Sequence, residues 1–119
     1  MRLLSFTSLL LAGCMVSWLG PSTAVPMMVD PAFVQLMQDS NDVCAHRALL
    51  RPTIKWFMVP GDSFKTPERS DAIGWWNPNN TIFIAEPYTT DQRTLQHELL
   101  HAGLGHGGHP AIFTRCGLM

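Results

Sequence analysis

The chain has 119 residues, a net charge of −1 and only 14% charged residues, against about 25% in an ordinary soluble domain. A chain of this size holds one thin core that a covalent or metal staple helps to close. With no basic stripe and no run of like charges, it lacks the electrostatic footprint of a nucleic-acid binder, and no nucleic-acid partner is expected.

Met1-Arg2 and the apolar stretch from Leu3 to Ala12 have the layout of a secretory signal, one cation and then roughly ten apolar residues. The following Leu11-Ala12-Gly13-Cys14 resembles the bacterial lipobox. That resemblance implies a signal peptide over residues 1–13, cleavage before Cys14, acylation of Cys14, and a lipid anchor in the cell envelope. In a Gram-negative host the Met15 that follows points to the outer membrane rather than to inner-membrane retention. Two other layouts are an ordinary signal cut near Ala24 and a retained anchor, although Leu3 to Leu19 falls short of the ~20 residues that span a bilayer. Each layout exports the chain to an oxidising compartment. With Cys14 acylated or removed, Cys44 and Cys116 remain as a pair, and a disulfide between them is expected.

Residues 14–29 read as a tether, broken by Gly20-Pro21 and Pro26, and residues 30–119 as the folded domain. Asp30-Pro31 starts a first helix, Asp30 as cap and Pro31 in the first turn. Phe33, Leu36, Met37, Ser40 and Cys44 then fall on one helical face. His46, at the end of this helix, is placed to interact with the dipole. Ile54 to Val59 is rich in strand formers and stops at Pro60-Gly61. Ile73 to Trp76 and Thr81 to Glu86 flank Asn77-Pro78-Asn79-Asn80 and read as a hairpin. Of Trp75 and Trp76, one is expected to pack inside and the other to lie across the surface. Thr89 and Gln92 fit a capping box, with Asp91 favouring the positive end of a second helix. That helix fails at Gly103-Leu104-Gly105, and a short turn restarts at Pro110 to carry Phe113 and Cys116. The expected fold class is α+β, a small antiparallel sheet of about three strands on two main helices.

His97-Glu98-Leu99-Leu100-His101 is an HExxH motif on the second helix. Residues four apart share a face one turn apart, so both imidazoles can reach one ion. Glu98 points beside that ion, where it can act as general base on a metal-activated water. A random arrangement of this composition gives the motif roughly half a percent of the time. A catalytic zinc site takes three protein ligands and leaves one position open. The candidates for the third are His109, His106, His46 and Glu86. Four glycines between His101 and His109 give the chain room to fold back, whereas His106 requires an almost immediate reversal.

The motif is that of the zincin peptidases, and a third histidine after a glycine turn resembles the metzincin arrangement. The metzincin glycine and histidine positions fall here on Leu104 and Gly107. A closer resemblance is to small exported bacterial zincin-like proteins with HExxH, a short loop, Gly-His-Pro and a Phe…Cys ending. Here those are His97 to His101, Gly108-His109-Pro110, Phe113 and Cys116, within residues 75–119. The resemblance implies a minimal zincin-like domain, zinc on His97, His101 and His109, and Thr81 to Glu86 at the place of a substrate-holding edge strand. Tyr88 is a weaker candidate for stabilising an oxyanion.

Two readings follow. One is a zinc-dependent hydrolase, foremost a peptidase, with Glu98 as base and a peptide or other amide, including those of peptidoglycan, as substrate. The alternative is a non-catalytic zinc-binding envelope lipoprotein whose metal is enclosed by a fourth ligand. A monomer attached to the membrane through its lipid is expected in both.

Overall fold

A computed structural model of the chain describes residues 19–119. The signal peptide and the lipidation at Cys14 lie outside the described residues. The fold is α+β, with elements in the order β1 (Val25–Pro26), α1 (Pro31–Ala45), β2 (Lys55–Val59), β3 (Gly74–Asn77), β4 (Thr81–Ala85), α2 (Gln92–Leu104) and α3 (Ile112–Arg115). Among the described residues no helix is long and apolar enough to cross a membrane.

The sheet has four strands in the order β1-β2-β4-β3. The β3–β4 hairpin forms as its turn residues direct, Asn77 Oδ1 accepting from the main-chain N–H of Asn79 and Thr81. Two features differ from a three-stranded antiparallel sheet. Val25–Pro26, in the stretch expected as a tether, pairs with β2 and forms one edge, a position proline tolerates because an edge strand need not donate on both sides. The pairing of β2 with β4 is parallel. The loop between β2 and β3, closed by paired hydrogen bonds between Phe64 and Ala72, carries the chain past the β4 position, so the hairpin returns with β4 inside and β3 outside.

That swap explains the burial of β4, all five residues of which are buried. Ile82 and Ile84 face the helices with Met37, Trp76, Leu95, Leu99 and Ala102. Phe83 and Ala85 face the other side with Val59, Phe64 and Ala72. Trp76 goes inside, while half-buried Trp75 stacks on Phe83 at 5.9 Å between ring centroids. β4 is therefore not an edge strand; β3 is.

α1 is capped as expected, Asp30 Oδ1 accepting from Ala32 N, but its buried face is turned from the expected stripe. Leu36 and Ser40 are exposed, and Met37 and Asn41 are buried. The cause lies on α2, where Asn41 Nδ2 donates to the Gln96 carbonyl and Gln96 Nε2 donates back to Asn41 Oδ1. A reciprocal amide pair at a helix seam carries no hydrophobic signal. α2 is capped by Asp91, which accepts from Thr94 N and Oγ1, while Thr89 Oγ1 donates to the Glu86 carbonyl, so Thr89 and Gln92 form no capping box.

A disulfide joins Cys44 at the end of α1 to Cys116 after α3, across 72 residues of chain. It clamps the final segment, whose Ile112, Phe113 and Leu118 form a small core with Leu100. Cross-linking so long a loop contributes on the order of 4 kcal/mol in the chain-entropy model. Cys116→Ser is expected to lower unfolding stability by up to about that amount, read as a shift of the urea midpoint that reductant reproduces in the parent protein and leaves unchanged in the variant.

Candidate metal centre

Leu95, Leu99 and Ala102 anchor α2 in the core, which turns Arg93, His97 and His101 along an adjacent stripe. The helix ends where Gly105 adopts φ 75° and its N–H closes on the His101 carbonyl at 2.8 Å, a left-handed cap that glycine takes without strain. The chain then folds back. His97, His101 and His109 come together, each offering a ring nitrogen within 4.8 Å of the others, and these three side chains can hold a metal ion. The Nε2 atoms of His97 and His109 are 3.1 Å apart.

Two main-chain carbonyls orient the helix-borne rings. His97 Nδ1 lies 2.5 Å from the Leu118 carbonyl, and His101 Nδ1 lies 3.0 Å from the His106 carbonyl. A carbonyl only accepts, so in each ring the proton sits on Nδ1 and the lone pair on Nε2. Both rings are thus held in the tautomer and direction that a metal needs. The buried Phe113 ring forms the floor, with its centroid 4.8, 4.6 and 5.0 Å from those of His97, His101 and His109. Trp76 closes one side, stacked on His101.

The other candidate ligands stand apart from the triad. The His106 side chain is exposed and its Nδ1 accepts from Gly108 N; its contribution is the carbonyl. His46 is the left-handed cap of α1, and Glu86 opens the short turn after β4.

Glu98 is 5% exposed and its Oε1 lies 4.0 Å from His97 Nε2. The Trp76 main-chain N–H, on the free side of edge strand β3, donates to this carboxylate. A further device is Gly74: a Cβ there would stand 2.9 Å from Glu98 Oε1, so the absence of a side chain makes room for the acid. Burial pushes the Glu98 carboxyl up to about 8, against the opposing pull of the Trp76 N–H. Burial also lowers His101 to about 4, and lowers His97 with help from the nearby charges of His109 and Arg93. Both helix-borne imidazoles therefore stay neutral at neutral pH, the form in which they are ligands.

The triad and Glu98 open into a cleft of about 930 Å³ walled by β3, the loop before it, the first turn of α2 and the chain at Leu118–Met119. Tyr88 lines the same cleft. No family model, curated protein or solved structure matches the chain.

The buried ionisable groups have a consequence for the stability of the metal-free protein. Folded Glu98 keeps its proton up to about pH 8, whereas the unfolded carboxyl releases it near 4.5, so stability falls as pH rises through that window. Folded His101 resists protonation down to about 4, against 6.5 unfolded, so its loss appears only as pH falls below 6.5. Between pH 6.5 and 8 the slope from Glu98 stands without the opposing one from His101. Urea midpoints of chelator-treated protein should drop across that range, and Glu98→Gln should flatten the drop.

Proposed function

We propose that the chain is a zinc-dependent hydrolase acting on peptide or other amide bonds, exported and held in the cell envelope by a lipid on Cys14. The observation that carries the reading is the juxtaposition of three convergent imidazoles with a buried carboxylate at the floor of an open cleft. The donors suit zinc, which takes neutral imidazole nitrogens at ~2.0–2.1 Å in tetrahedral geometry and therefore spaces pairs of them about 3.3 Å apart. The 3.1 Å between His97 and His109 Nε2 is close to that value. His97, His101 and His109 would hold the ion, which when bound would supply Lewis acidity and make a nearby water more acidic.

The residues of the chain do the rest. Glu98 accepts the proton of the attacking water and passes it to the leaving amine nitrogen. Beside a bound cation the carboxyl would be drawn down from its raised metal-free value, toward the range in which it takes and returns a proton near neutrality. The Trp76 N–H and the space over Gly74 hold the carboxyl near Nε2 of His97, the ring nitrogen that would face the metal. The free edge of β3 offers main-chain groups along which an extended substrate can lie as an added strand, the role that sequence alone suggested for β4. The Leu118 and His106 carbonyls keep the ligand rings from turning, and Phe113 excludes water from below.

Enclosure of the metal by a fourth side chain, as the non-catalytic reading requires, finds no support among the described residues, since the triad has no further His, Cys, Asp or Glu joined to it.

Metal analysis of the purified protein is expected to give one zinc per chain, and His109→Ala to weaken binding while leaving the fold intact. Hydrolysis of a broad peptide and amide library should fall by about 10²–10⁴-fold in Glu98→Gln with zinc retained. Undiminished zinc in His97→Ala, or full hydrolysis in Glu98→Gln, would sink the proposal. Gly74→Ala should retain zinc yet lose at least about tenfold in rate, because the Cβ displaces the base and small misplacements of catalytic groups are costly.

A further inference from the structure

The stretch between Cys14 and the first helix, expected as a tether, is tied to the sheet from Leu19 onward. Val25–Pro26 pairs with β2, the Met27 N–H donates to the Trp56 carbonyl, and the Ala24 N–H closes a turn on the Pro21 carbonyl. Gly20 lies directly on the Phe83 ring, so close that a Cβ there would collide with it, and its φ of 116° is one that glycine takes without strain. The fastened chain therefore begins at Leu19–Gly20, with residues 15–18 between it and Cys14. The five steps from Cys14 to Leu19 span at most about 18 Å. A domain of roughly 100 residues has a radius of gyration near 13 Å, hence a width of about 30 Å. A lipid on Cys14 cannot reach round it, so the face that Leu19 leaves from is the face that an anchored domain turns to the membrane.

That face is the side of the sheet turned from the helices. Leu19 borders a groove of about 550 Å³ there with Lys55, Phe57, Thr81 and Phe83, alternate residues of β2 and β4 that share one side. No carboxylate lines the groove, and none of the ion pairs among the described residues includes Lys55. The same N-terminal stretch bears Leu19 and Met28, 72% and 95% exposed. Apolar side chains and an unpaired ammonium suit a phospholipid surface, whose acyl region takes the first and whose phosphates take the second. The histidine triad lies on the other side. α2 packs on the opposite face of the sheet through Trp76, Ile82 and Ile84, and His101 stacks on Trp76. The cleft of the triad opens along β3, at the edge of the sheet away from β1.

We propose that the sheet face around Leu19 and Lys55 rests on the phospholipid surface of the membrane, so that the cleft opens into the aqueous compartment and draws its substrate from there rather than from the lipid leaflet. This deepens the proposed function and rests on its lipid at Cys14.

The test reconstitutes the full chain into phosphatidylethanolamine–phosphatidylglycerol vesicles, with acylation of Cys14 checked by mass, and follows acetylation of its lysines by a water-soluble reagent. The sequence holds two lysines, Lys55 and Lys65, and both are exposed. Lys65 stands next to Thr66, which lines the cleft of the triad, and is the internal control. Relative to the same protein in detergent micelles, Lys55 is expected to react at least about fivefold more slowly in vesicles, and Lys65 to stay within about twofold. Inserting ~20 Gly and Ser residues after Met15 gives the domain room to turn and should relieve much of the shielding. Shielding that persists in the lengthened chain also supports the face, as a contact with an affinity of its own. Equal shielding of the two lysines, or shielding of Lys65 in place of Lys55, overturns the membrane face and leaves the lipid anchor and the hydrolase reading standing. Absence of an acyl mass on Cys14 overturns the anchor, and the membrane face with it.

Discussion

Both helix-borne imidazoles are directed by carbonyls of the segment that follows their own helix, His101 by His106 and His97 by Leu118. The site depends on that return of the chain. A helix alone sets two rings one turn apart, but each ring still rotates about its own bonds. The fold-back removes the rotation, brings His109 into the group and slides Phe113 beneath it. The disulfide to Cys44, Arg93 on the Met119 carbonyl and the burial of Phe113 and Leu118 all act on the same segment. The enthalpy of the small core around Leu100 is thus coupled to the aim of two nitrogen atoms.

Much of this was legible in the sequence where a side chain announces its own role. His97 and His101 at helical spacing, the glycines that let His109 return, the Asn-rich turn and the two cysteines are signals of that kind. The parts that escaped are carried by main chain or by absence. A carbonyl at Leu118 has no residue signature, and nor does the N–H of Trp76. Gly74 reads as a strand-weakening residue until Glu98 is seen over it. The Asn41–Gln96 pair turned α1 away from its hydrophobic stripe for a similar reason, since polar partners across a seam are matched only in three dimensions.

The covered position of β4 was readable in the sequence, although the resemblance implied an edge strand at Thr81 to Glu86. Ile82 to Ala85 is an unbroken apolar run, and such a run marks a strand covered on both faces. Trp75-Trp76, with one ring for each side, suits an edge whose outer side must also serve the site. The loop closed by Phe64 and Ala72 separates β2 from β3, so that β4 and not β3 lies beside β2. Topology therefore decided which strand borders the histidine triad.

An open sheet edge is a hazard for any small protein, since its unpaired N–H and C=O groups invite other chains to add on. Here the exposed side of β3 is occupied by an ionisable carboxyl, taken up by the Trp76 N–H over a glycine that leaves it room. A side chain seated against an edge takes up main-chain groups that another strand would need for pairing. Glu98 would then have a second value unrelated to proton transfer. By taking up the Trp76 N–H it removes one donor that a neighbouring copy would otherwise find on the border of the sheet. Solubility and access to the site would be governed by the same side chain.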